Sequence, residues 1–98
     1  MSFVISSQFE LGNVVVTRAI DEKYMKNTQG RILICDLLER HANKDDGDLC
    51  SEDKQLNIDA HEHGGRIFSL YETKDDETIY IITEHDRSVT TILFNFDY

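Results

Sequence analysis

After Gly64-Gly65 the apolar residues of this chain stop recurring every three to four positions and begin to alternate. That change of period constrains the fold more than any other feature, because a pattern of period two cannot present one apolar side as a helix. Arg66–Glu72, Thr78–Glu84 and Val89–Phe94 read as three strands, joined by Thr73–Glu77 and by His85–Ser88. Connections this short predict an antiparallel meander, since parallel pairing needs a crossover of a dozen or more residues.

Ahead of the switch the pattern is helical, apart from one strand. Phe9–Thr17 reads as that strand, built around Val14-Val15-Val16. Thr17 stands where a helix cap is expected, with a short helix over Arg18–Lys26 that Asn27 and Gly30 end. Arg31–Ala42 is a second helix, with Ile34, Leu37, Leu38 and His41 along one stripe and an Asp36–Arg40 pair on the polar side. Ser51 is placed to cap a third, weakly apolar helix that ends at Gly64-Gly65, with Glu52 and Asp53 in its first turn. The order strand, three helices, three strands predicts an α+β domain, a four-stranded mainly antiparallel sheet with about three helices packed on one face. Its 98 residues make one domain over 1–98.

The strands are apolar on both sides. Ile79 and Ile81 point one way, Tyr80 and Ile82 the other. Helices on one face leave the second face to water, a partner protein or another copy of the chain. A homodimer or a docking face is therefore expected. A chain this short fills one core and leaves little apolar material to line a deep substrate cavity.

The net charge is −9 and lies almost wholly in the second half, where fourteen acidic residues face four basic ones from residue 45 onward. Such a chain is repelled by nucleic-acid phosphates and anionic membranes, so no direct nucleic-acid or membrane binding is expected. No run nears the ~20 apolar residues of a membrane span, and the N-terminus lacks the basic and apolar regions of a signal peptide. Cys35 and Cys50 are too few for a disulfide framework, with Cys35 read as a small core residue. A cytoplasmic location follows as the expectation.

The chemical motifs are weak. Aligning Gly47 with the glycine of a calcium loop puts Ala42, which has no ligand atom, at its first position. His61 and His63 are two apart and diverge on a helix, so they cannot share a metal. Glu84-His85-Asp86-Arg87-Ser88 holds the residue types of a hydrolase triad, but adjacent side chains cannot align as one. Neither a metal nor another cofactor is expected, and no catalytic residue is assigned. The carboxylates fall into sets: Asp45, Asp46, Asp48, Glu52 and Asp53; Asp75, Asp76 and Glu77 with Glu72; Glu84 and Asp86. Aligned on one side, they would imitate the charges of duplex DNA and occupy a basic protein groove.

From Gly47 onward the chain resembles the plasmid-related proteins, a family of short bacterial proteins of plasmids and integrated mobile elements. The stretches that carry the likeness are Gly47-Asp48-Leu49, Glu52-Asp53-Lys54, Asn57, Gly64-Gly65-Arg66-Ile67 with Ser69 and Tyr71, and above all the run from Ile82 to Leu93. Leu11–Thr17 matches loosely. Relatives carry a small residue where His85 stands and often proline where Asn95 stands. The resemblance implies a mobile-element setting and no particular activity. A shared site, if the family has one, falls on the second hairpin, with Arg87 as charged anchor and Asp86, Thr90, Thr91 and Glu84 around it. The same residues equally suit a turn and a threonine pair across the sheet.

The leading expectation is thus a non-enzymatic accessory protein that binds a protein partner, in its sharper form a DNA mimic. The alternatives are a small ligand-binding or enzymatic domain at the Asp86-Arg87 hairpin, and an antitoxin-like or purely structural oligomer.

Overall fold

The computed structural model describes residues 7–98. In chain order it contains β1 (Asn13–Val16), α1 (Arg18–Tyr24), α2 (Thr28–Ala42), α3 (Ser51–His63), β2 (Ile67–Glu72), β3 (Thr78–Thr83) and β4 (Val89–Phe94), and a single 3-10 turn over Asn95–Asp97. The four strands form one sheet in the order β1-β4-β3-β2. β2, β3 and β4 make the antiparallel meander, and β1 joins β4 in parallel. The fold is α+β with a mainly antiparallel sheet, as the change of period predicts.

Local chemistry shifts several boundaries. α2 begins three residues earlier than the apolar stripe suggests, because the Asn27 side chain accepts the Gly30 amide at 2.7 Å and caps the helix. Gly30 therefore lies inside α2 and stops nothing. It is packed so closely on the end of α1 that a side chain there would collide with the Tyr24 carbonyl. Thr17 holds the cap position of α1, yet its hydroxyl points at Asp97 (3.4 Å). Cys50, and not Ser51, precedes the first turn of α3. β1 is shorter than Phe9–Thr17, because Gly12 takes a left-handed backbone (φ +65°) that breaks the strand. Phe9 packs edge-on against the His41 and His61 rings instead.

One face of the sheet is closed by α1 and α2. Ile20 and Tyr24 from α1 and Ile34, Leu37 and Leu38 from α2 meet Tyr71, Ile79, Ile81, Ile92 and Phe94 in the core. Each buried aliphatic side chain of this kind stabilises the fold by about 1.5–3 kcal/mol relative to exposure. Cys35 flanks this core half-buried, and burial followed by the neighbouring Asp36 pushes its thiol pKa up.

α3, the weakly apolar helix, sits at the margin of the helical layer, where its Asn57, Ile58 and His61 adjoin His41, Ile67 and Ser69. It lies along the edge of β2, where the Asn57 side chain donates to the Phe68 carbonyl (2.5 Å) and accepts the Phe68 amide (2.9 Å). The loop before α3 continues this cover: Leu70 donates to Asp46, Asp48 donates to Leu70, and the Asp48 carboxylate accepts the Glu72 amide. The β2 edge is thereby hydrogen-bonded without a fifth strand. Among the described residues the opposite edge has no such cover. Asn13 and Thr17 donate inward to Ser88 (3.0 Å) and Ile92 (3.1 Å), so the alternating Val14 and Val16 turn their backbone groups outward.

Candidate binding surface

The residues expected to form a hairpin site are spread over three environments. Arg87, in a left-handed backbone conformation, donates to the carbonyls of Gly65 (2.5 Å), Glu84 (3.0 Å) and His85 (3.4 Å) and to that of Ala60 (3.2 Å). It ties the C-terminal end of α3 to the β3–β4 turn. Asp86 accepts the Ser88 hydroxyl (2.6 Å) and amide (3.0 Å), and these bonds hold its carboxyl below the usual range. Glu84 faces Arg66 at 3.7 Å. Thr90 is buried under the helices, whereas Thr91, one residue on, lies on the second face. The two threonines do not share a surface.

Thr90 belongs to a chain of hydrogen bonds that the sequence did not reveal. Its hydroxyl donates to the Leu11 carbonyl (2.7 Å), which leaves it to accept from Thr83 (2.7 Å). The Thr83 proton is then spent, so Thr83 accepts from His41 Nε2 (2.8 Å). His41 Nδ1 must in turn be unprotonated, and it accepts the Ser69 hydroxyl at 2.6 Å. Burial, and then the nearby His61, lower the His41 pKa to about 4, so the ring is neutral at physiological pH. A serine donating to a neutral histidine is the ground-state geometry of a nucleophile and its base. Here, however, Ser69 and His41 are sealed (1% and 0% exposed). The adjoining cavity, lined by Lys44, Asp46, Asn57 and His61 among others, holds only about 70 Å³. That is room for about two waters at ~30 Å³ each. The arrangement satisfies a buried polar cluster and does not admit a substrate. The available signal was Ser69, Thr83 and Thr90 at inward positions of otherwise apolar strands.

The second face carries Phe68 and Leu70 from β2, Tyr80 and Ile82 from β3, and Thr91 and Leu93 from β4. No helix covers it. The C-terminal residue folds back instead: the Tyr98 ring meets Phe68 (6.4 Å) and Tyr80 (5.8 Å) edge-on, and its hydroxyl lies 3.3 Å from Arg66. Ile82 and Leu93 are buried, while Phe68, Leu70, Tyr80 and Thr91 stay half-exposed. Two grooves flank Arg66. One, of about 250 Å³, runs between Tyr98 and the sheet over Ile82, Thr91 and Leu93; the other, of about 260 Å³, runs over Phe68 and Leu56. Leu56 is 65% exposed and Tyr98 68%. Asp53, Glu84 and Asp97 stand at the groove margins.

The acidic sets divide by position. Asp45, Asp46 and Asp48, with Glu52 and Asp53 of α3, flank the β2 edge, and Asp75, Asp76 and Glu77 follow in the β2–β3 turn. Glu84 and Asp86 lie at the other end of β3 from that turn, about 20 Å from it at ~3.3 Å per residue, with Glu84 and Asp53 in the two grooves that meet at Arg66. Cations offset part of the flank: Arg40 pairs with Asp45 (2.8 Å) and holds its carboxyl pKa down, Lys54 faces Asp46, and Lys23 meets Asp75 and Glu77.

Among the described residues no three His, Cys, Asp or Glu side chains group as metal ligands, and no helix is long and apolar enough to cross a membrane. Comparison of the chain with family models, curated proteins and solved structures finds no match.

Proposed function

We propose that this protein is a non-enzymatic binding module that takes a protein partner on the second face of its sheet. One observation carries the reading: an apolar sheet face that α1 and α2 leave open and Tyr98 crosses, with grooves on both sides of Arg66 and the exposed Leu56 beside them. A surface of this kind, apolar at its centre and polar at its rim, has the anatomy of a protein interface. The rim sets the partner's chemistry. Asp53, Glu84 and Asp97 outnumber Arg66, and the chain carries −9 overall, so the partner presents an apolar centre within a basic border.

The likeness to plasmid-related proteins supports an accessory role for a bacterial mobile element in the cytoplasm, acting on a host or element protein. DNA mimicry draws less support. Arg40, Lys54 and Lys23 offset part of the acidic flank, and Glu84 and Asp86 lie at the opposite end of β3 from the Asp75-Asp76-Glu77 turn. A ligand site at the hairpin draws less still, because Arg87 spends its donors on backbone carbonyls.

The test is capture from a native-host lysate with wild type, with Thr91→Glu and Leu56→Glu on the face, and with Glu52→Gln on the flank. The partner is expected to co-purify with wild type and Glu52→Gln and to be lost with the two face variants. Equal capture by all four would sink the reading. Loss with Glu52→Gln alone would shift it to the acidic flank.

A further inference from the structure

We infer that two copies of this chain pair through their β1 edges, in antiparallel register about Val15, to make one eight-stranded sheet. The inference stands apart from the partner reading, which uses the second face. It begins with the contrast between the sheet's two edges. Asn57 and the Asp46–Asp48 backbone occupy the hydrogen-bonding groups of β2, whereas those of Val14 and Val16 point outward from β1. Natural sheets protect such edges with lysine, proline, a bulge or a cover. Asn13-Val14-Val15-Val16 has no charge and no proline, and Val14 and Val15 are 42% and 44% exposed.

The occupant follows from register and charge. With Val15 on the two-fold axis, Val14 of one copy lies opposite Val16 of the second, and both present outward backbone groups, so the pair closes by four hydrogen bonds. Arg18, whose side chain is 91% exposed, then lies opposite Gly12 of the second copy. Gly12 packs on the Arg87 and Ser88 carbonyls, so each Arg18 meets the turn that carries the other copy's exposed Asp86. The acidic flanks stay apart. They border β2 at the far edge of each sheet, about 34 Å from each other at seven spacings of ~4.8 Å, well beyond the ~8 Å screening length at physiological salt. A second copy approaching the second face would instead bring acidic rims together.

A four-residue strand pair is small for an interface, so association is expected at tens to hundreds of micromolar. Sedimentation velocity from about ten micromolar to about one millimolar should move the mass from 11.4 kDa toward twice that value. Amide exchange should show Val14 and Val16 gaining protection with concentration. Val15→Lys sets two like charges face to face, and Val14→Pro removes an outward N–H without touching the ladder to β4. Each should weaken the dimer at least tenfold. A mass fixed at the monomer value to one millimolar would overturn the proposal, and so would variants that fold and dimerise like wild type. If a variant fails to fold, wild-type exchange decides: unchanged protection at Val14 and Val16 refutes the pairing. Their protection by a foreign strand peptide in a chain that stays monomeric would replace a second copy with another protein's strand.

Discussion

The two faces of the sheet differ in how they hold the groups that do not suit them. The face sealed by α1 and α2 holds Ser69, Thr83, Thr90 and His41, all at most 1% exposed. The face turned away from α1 and α2 holds Phe68, Leu70, Tyr80, Ile82 and Leu93. Ser69, Thr83, Thr90 and His41 survive in the sealed layer because each of their polar protons has one acceptor and the chain ends on the Leu11 carbonyl, whereas the Tyr24 hydroxyl is buried in the same core with no partner among the described residues. A buried group without a partner would cost about 1–3 kcal/mol. The open face shows the other side of the same rule. Apolar side chains can remain half-exposed at modest cost, and a contiguous patch of them marks a surface that something else covers. A relay of paired hydrogen bonds holds the polar strip of the first face. Tyr98 crosses the second.

The largest effect should come from breaking the sealed network. His41→Ala leaves the Ser69 and Thr83 hydroxyls without their partner and opens a cavity, and should cost about 3–4 kcal/mol of unfolding free energy by urea titration. A loss below ~1 kcal/mol would mean that water enters and replaces the ring.

Acid should attack the same face almost as strongly. The His41 pKa is lowered from 6.5 to about 4, so the unfolded chain takes up a proton first. Stability is therefore fully present above about pH 6.5, falls as pH drops toward 4, and loses about 3 kcal/mol in that window. His61, lowered chiefly by burial and then by Lys44 and Arg87, acts in the same sense. Asp45, its pKa held down mainly by Arg40, has a separate window, losing its contribution only below its ordinary carboxylate range. A His41→Gln variant whose stability still falls by 3 kcal/mol between pH 6.5 and 4 would show that other groups carry the effect.

The smallest effect should come from the open face. Tyr98→Ala removes the aromatic contacts to Phe68 and Tyr80 and should cost about 1 kcal/mol while raising binding of an apolar dye. Unchanged dye fluorescence would mean that Tyr98 hides little apolar surface.

The strands and their turns were legible because period two and short polar connections are local signals. Helix ends were less so. Gly30 reads as a stop in isolation, but its small size serves an approach to Tyr24 that only the folded packing reveals. The edge position of α3 was hidden for a related reason: its anchor is the polar Asn57, paired with a backbone eleven residues away, and not an apolar stripe. The partners of His41 lie 28 and 42 residues along the chain. Its inward stripe was visible, but the network was not. The hairpin reading grouped Thr90 with Thr91 by adjacency, although alternation alone places neighbours on opposite faces.

The Asn57 side chain has a consequence for growth. Its amide offers one donor and one acceptor to β2, so the sheet terminates there in a carboxamide instead of a strand. Among the described residues, β1 is the edge whose outward backbone groups remain for strand addition. An assembly with one receptive margin closes on itself once two margins meet, while a filament needs two. Pairing of the kind proposed would therefore have a finite stoichiometry, and the valine edge would be spared runaway polymerisation.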